Sequence, residues 1–155
     1  MRLTAELLSQ AEQRTNPLDE RELVLSGRGI PDIENLGAAR DAFDCYDLCN
    51  NRLVRLHNFP RLRRLRTLLV SGNHVATVDA TNGAQNIPQL TVLSLRNNQI
   101  SSLLEVQHIG KAWEQLEFLD LVGNPVTRKW CVVVQEEARN THERLWATDP
   151  SFAIG

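Results

Sequence analysis

Residues Arg61 to Val75 read RLRRLRTLLVSGNHV, four arginines in six residues running into an apolar stretch that ends at an asparagine and a valine. Two readings compete: a grip for nucleic acid, or the wet side of something that repeats. The leucines between the arginines decide. Leu65, Leu68, Val70, Asn73 and Val75 follow the order L-x-x-L-x-L-x-x-N-x-L. The same order returns at Leu90, Leu93, Leu95, Asn98 and Ile100, and again at Leu116, Leu119, Leu121, Asn124 and Val126. Upstream, Phe43, Tyr46, Leu48, Asn51 and Leu53 fill it with aromatics at two leucine positions. A first, degraded copy keeps Leu23, Leu25 and Ile30 but places Glu20 and Arg28 at the other two.

This order is the leucine-rich repeat signature. The asparagine position falls at 28, 51, 73, 98 and 124, giving spacings of 23, 22, 25 and 26 residues, all within the leucine-rich range. In a short x-L-x-L strand, alternate side chains point to opposite sides, so the leucines enter the solenoid and the residues between them line the outer face. One repeat cannot bury its own leucines; stacked repeats share a continuous core. The prediction is therefore an α/β solenoid of about five repeats with a parallel concave sheet. Asn51, Asn73, Asn98 and Asn124 sit where the chain turns after each strand, and their amides can pair with backbone groups that the turn leaves open. They are expected to form a buried structural ladder.

Solenoid ends must be capped. LTAELLSQAEQR, from Leu3 to Arg14, reads as a helix with Thr4 as N-cap and Leu3 packed on Leu8, stopped near Asn16-Pro17. Leu3, Leu7, Leu8 and Ala11 would cover the first repeat. Between repeats, LLEVQHIGKAW from Leu103 to Trp113 has helical spacing, whereas the turn-rich TNGAQNIPQ from Thr81 to Gln89 predicts irregular chain. A closing helix is expected from about Thr127 to Asn140, presenting Trp130, Val133 and Val134 to the last repeat, followed by an unpatterned ATDPSFAIG. The organisation is one domain over 1–155, with a cap in 1–17, repeats in 18–126 and a second cap and tail in 127–155.

The chain has 155 residues, 42% apolar and 23% charged, with a formal charge of −2, which argues against a free-standing nucleic-acid binder. No leader pattern and no membrane-length apolar stretch stands in it, so an intracellular place is expected. Cys45, Cys49 and Cys131 lack metal-ligand spacing and read as free thiols. On one strand Cys45 and Cys49 would lie roughly 13 Å apart, at about 3.3 Å per residue, too far for a disulfide, and both read as surface thiols. His57, His74, His108 and His142 are scattered without paired spacing and read as surface residues. Ser71-Gly72-Asn73 and Val122-Gly123-Asn124 are the repeat's own turns, neither phosphate loops nor nucleophile elbows. No enzyme motif, cofactor, metal site or small-molecule substrate is implied, and no membrane.

What remains is the concave face. Its outward positions are Glu22, Val24 and Ser26; Cys45, Asp47 and Cys49; Thr67, Leu69 and Ser71; Val92, Ser94 and Arg96; Phe118, Asp120 and Val122. Val24, Leu69, Val92, Phe118 and Val122 are apolar where water would favour polar residues, and the acids Glu22, Asp47 and Asp120 stand among them. The mixture suits the side of an amphipathic helix that carries basic residues.

Several stretches go beyond the repeat pattern. LTAELLSQAEQRTN, then RELVLSGRGIPDIENLGA and DAFDCYD, then FPRLRRLRTLLVSGN and NPVT at Asn124 to Thr127, together resemble the A′ family of the spliceosomal U2 small nuclear ribonucleoprotein over about residues 2 to 129. The resemblance implies a nuclear, non-enzymatic scaffold whose concave sheet cradles the first helix of an RNA-recognition-motif protein of the B-double-prime type. It further implies that the pair binds a stem-loop of U2 snRNA, read mainly by the partner through base stacking. The positions above match the family's partner-facing register, with Val24, Cys45, Cys49, Ser94 and Arg96 departing from its usual residues. After Arg128 the family's cap is only loosely echoed, and its long charged tail is absent. A general leucine-rich adaptor of phosphatase-regulating or axonemal type, without RNA, is the alternative. In the repeat register Leu62 and Leu65 turn inward, which leaves Arg63, Arg64 and Arg66 on a basic rim, either solvated or touching RNA phosphates or acids of the partner.

Overall fold

The computed structural model describes residues 2–128. The predicted helix from Thr127 to Asn140, with Trp130, Val133 and Val134, and also Cys131, His142 and the tail lie outside or almost wholly outside those residues. The chain opens with helix α1 (Ala5–Gln10), capped by the Thr4 hydroxyl, which accepts from the Leu7 amide at 3.2 Å. Leu3, Leu8 and Ala11 are buried, as the capping role requires.

The helix does not run on to Asn16. At Ala11 the backbone turns extended, and Glu12–Thr15 form strand β1, every residue exposed, antiparallel to β2 (Arg21–Val24). The reason lies in the neighbour: β2 begins the parallel sheet, and its outer edge would carry unpaired N–H and C=O groups. A strand satisfies them; a helix there would not. Nothing apolar after Ala11 stood to be buried by further helical turns.

From β2 the sheet grows by one strand per repeat: β3 (Cys45–Asp47), β5 (Thr67–Leu69), β7 (Val92–Ser94) and β8 (Phe118–Asp120), all parallel. With β1 the sheet has six strands in the order β1-β2-β3-β5-β7-β8. Two short strands after the turns, β4 (Arg55–Leu56) and β6 (Thr77–Val78), form a second parallel pair. Behind the sheet lies one core containing Leu23, Tyr46, Leu68, Leu93 and Leu119 from the strands, with the leucines, isoleucines and valines of the turns.

On the far side the connections become regular only where packing demands it. α3 (Leu103–Ala112) buries Val106 and Ile109, as its periodicity predicts. The segment expected to be irregular instead holds α2 (Ala80–Asn86), started by the Asp79 carboxylate, which accepts from the Asn82 amide at 3.2 Å. Its glycine is the reason it fits: a Cβ at Gly83 would come within 2.6 Å of the Trp113 ring, which is buried and donates its Nε1–H to the Ile87 carbonyl at 3.1 Å. Residues poor in helix propensity are overruled by a neighbour that needs a close approach. Among the described residues no helix is long and apolar enough to cross a membrane.

Each strand ends in a turn held by its asparagine. Asn51 donates to the Leu48 and Leu25 carbonyls and accepts from the Arg28 and Ile30 amides. Asn73, Asn98 and Asn124 repeat the device, each donating to its own strand end and to the strand end one repeat earlier. Just before each of these four positions, and before Arg28 at the matching place in the first repeat, stands a residue with left-handed φ, in the order Gly27, Asn50, Gly72, Asn97 and Gly123. The side chains of Asn50 and Asn97 fill the space that a Cβ at Gly72 and Gly123 would occupy.

Candidate functional site

Cross-strand register sets the outward residues in rows. The first row is Glu22, Cys45, Thr67, Val92 and Phe118; the second is Val24, Asp47, Leu69, Ser94 and Asp120. A third runs through Cys49, Ser71, Arg96 and Val122, joined by the backbone bonds that continue the ladder past the strands.

These positions are not equally open. Glu22, Cys45, Thr67, Ser94 and Asp120 are buried, so they are not free surface for a partner as the alternation alone suggested. Their covers come from this chain. Arg14, on β1, donates to Glu22 at 2.7 Å. Glu20 reaches from before β2 to accept from the Thr67 hydroxyl at 3.0 Å, held from behind by the Asn16 amide at 2.9 Å. Cys45, lying between the strands that carry Glu22 and Thr67, is sealed beneath this network, its thiol 3.8 Å from Glu22. Ser94 pairs with Ser71 at 2.9 Å, and Arg96 donates to Asp120 at 3.0 Å. The half-buried or exposed remainder is Val24, Ser26, Asp47, Cys49, Leu69, Ser71, Val92, Arg96, Phe118 and Val122. Within the first two rows, open surface thus runs diagonally, from the strand ends at β2, β3 and β5 to the strand starts at β7 and β8, while the third row is open throughout.

Arg14, Asn16 and Glu20 were missed because they lie outside the outward register. One signal was present: Glu20 takes the place of an inward leucine, and a carboxylate there must find donors.

Neither described thiol is a surface thiol in the ordinary sense. Burial, and then the Glu22 and Glu20 carboxylates, push Cys45 far above the usual thiol range. Cys49, half-buried, is pushed up to about 12, by burial first and then by Asp47. Both are free of disulfides. Among the described residues no three His, Cys, Asp or Glu side chains gather as a metal site would require. His57 is half-buried against Asp32 at 2.7 Å, while His74 and His108 are exposed.

The arginine run forms the rim at the strand starts. Leu62 and Leu65 are buried, and Arg61, Arg63, Arg64 and Arg66 are exposed. The Arg63 and Arg64 amides donate to the Asp41 carboxylate, and the Arg64 guanidinium donates to Asp44 at 2.8 Å. That bond, with one from the Arg21 amide, holds the Asp44 carboxyl below the ordinary carboxylate range against the opposing effect of burial. Arg63 and Arg66 have no ion pair among the described residues.

A leucine-rich repeat family model matches residues 1–135. The chain is 44% identical over 129 residues to the U2 small nuclear ribonucleoprotein A′ of Mycosarcoma maydis, covering 83% of this chain and 52% of that protein. The human protein of the same name is 43% identical, with 83% and 50% covered. A chain in the solved Drosophila melanogaster SNF/U2A′ complex superposes with a TM-score of 0.79 at 39% identity, covering 83% of this chain and 72% of that one. The chain spans about half the length of the curated relatives it matches. Repeat spacing, parallel sheet and asparagine turns agree with these likenesses: the chain belongs to the leucine-rich repeat family, and its relatives include U2 small nuclear ribonucleoprotein A′ proteins.

Proposed function

We propose that the chain is the repeat portion of a non-enzymatic, nuclear spliceosomal scaffold subunit. Its open sheet face receives a helix of an RNA-recognition-motif partner of the B-double-prime type and supports that partner's hold on a U2 snRNA stem-loop. The observation that carries this reading is the set Val24, Leu69, Val92 and Phe118, apolar side chains left half-buried or exposed on a sheet face where Glu22, Cys45, Thr67, Ser94 and Asp120 are covered by their own neighbours. The naming of the solved relative as one half of a SNF/U2A′ complex supports it. Of the rim, Arg63 and Arg66 are the residues offered to RNA phosphates or partner acids, since Arg64 already serves Asp44.

The test mixes this chain with the fly SNF protein and U2 stem-loop RNA. A stable pair is expected, with RNA retained by the pair. Leu69→Asp and Phe118→Asp should each weaken pairing by about 100-fold, since a charge is forced into an apolar contact, while thermal unfolding stays near wild type. Neutralising Arg63 and Arg66 should flatten the salt dependence of RNA retention and leave the protein pair intact. Recovery of phosphatase or motor subunits without RNA from cell extract would overturn the reading in favour of a general adaptor.

A further inference from the structure

The three acids among the sheet's outward positions differ in what already holds them. Glu22 takes the Arg14 guanidinium at 2.7 Å and Asp120 takes that of Arg96 at 3.0 Å, so each carries its own counter-charge. Asp47 does not. One of its oxygens accepts from the Cys49 amide at 3.0 Å, and among the described residues no cation lies within 4 Å of it. Its cross-strand neighbours in the second row are Val24 on one side and Leu69 on the other, both half-buried. The row reads apolar, acid, apolar.

A carboxylate framed this way keeps its stability only while water reaches it. A covering surface that removes the water without supplying a cation leaves a buried, unpaired charge, which is strongly unfavourable. Spacing narrows the choice further. Neighbouring strands lie about 4.8 Å apart, and one helical turn rises about 5.4 Å. A helix laid across the strands therefore sets side chains three or four residues apart over successive strands of one row.

We propose that Asp47 is the specificity-determining residue of this face, seating one lysine or arginine of a partner helix whose apolar residues, one turn before and one turn after, rest on Val24 and Leu69. This rests on the reading of the open face as the partner site. The partner helix then carries the order apolar, basic, apolar at steps of three or four. A helix with an acid or an alanine at the middle position is rejected or held weakly.

Asp47→Asn separates charge from structure, because the asparagine oxygen still accepts from the Cys49 amide. Titrated with the fly SNF protein, this variant should bind about tenfold more weakly than wild type at about 50 mM salt, and the gap should close at about 500 mM as screening shortens the reach of the charge. Asp47→Arg should lose more, and recover when the matching basic residue of the SNF helix is changed to glutamate. A scan of SNF's basic helix residues to glutamine against the unaltered chain needs no change here, and should find one whose loss reproduces the Asp47→Asn salt profile. Wild-type affinity and salt slope in Asp47→Asn, with Leu69→Asp still blocking, would overturn this inference alone. Unimpaired binding by Leu69→Asp would overturn the reading of the face beneath it.

Discussion

Asn98 holds two repeats with one amide. Its nitrogen donates to the Leu95 and Val70 carbonyls, both at 2.9 Å, and its oxygen accepts from the Val75 amide at 2.9 Å, all buried. Asn98→Ala orphans the buried Val75 amide and leaves the Val70 and Leu95 carbonyls with one donor each, from Asn73 and Asn124, which should lower unfolding free energy by about 1 to 3 kcal/mol. Urea unfolding measures it, and a neutral result would mean that the turn closes by other means. This residue was legible from its place in the order L-x-x-L-x-L-x-x-N-x-L, because the demand it meets is local and recurs with the repeat. Cys45 was not. Its outward register suggested a surface thiol, yet the Glu22 carboxylate beside it is fixed by Arg14 from β1, a strand that the pattern does not contain, and Glu20 reaches Thr67 from a position the pattern reserves for an inward leucine.

At the level of elements, hydrophobic period and hydrogen-bond demand divide the work. α3 follows from the period alone. β1 does not, because what converts Glu12–Thr15 from helix to strand is the open edge of β2, a property of the neighbour. α2 is a third case, where Asn82, Gly83 and Asn86 look like turn residues and packing against Trp113 decides otherwise. Gly83→Ala tests this. In an exposed helix the change would stabilise by about 1 kcal/mol through propensity. Here the methyl group meets Cζ2 and Cη2 of the buried Trp113 ring, and overpacking should reverse the sign to a net loss of about 1 to 2 kcal/mol. A gain in the urea midpoint would show that the Trp113 ring yields.

For the whole molecule, the parallel sheet and its core follow from the spacing of 28, 51, 73, 98 and 124, and the family resemblance follows from the stretches between. The usable part of the face was legible only as a set of alternating positions. Which of them stay open depends on contacts such as that of Glu20 with Thr67, 47 residues apart in sequence. The left-handed turn positions carry a last consequence. Because Asn50 leans into the space above Gly72, and Asn97 into that above Gly123, the solenoid counts in twos at this row. Its modules are not interchangeable. Excising residues 68–92 would join Thr67 to Leu93 and set Asn50 against Asn97 with no hollow to receive it. Excising 68–118 would set Asn50 against Gly123 and keep the fit. The shorter excision should therefore be the less stable for its length, and Asn97→Gly should rescue it, as a shift in the urea midpoint. Absence of rescue would free the repeats to be shuffled singly; its presence would make the pair, and not the repeat, the inheritable unit of this scaffold.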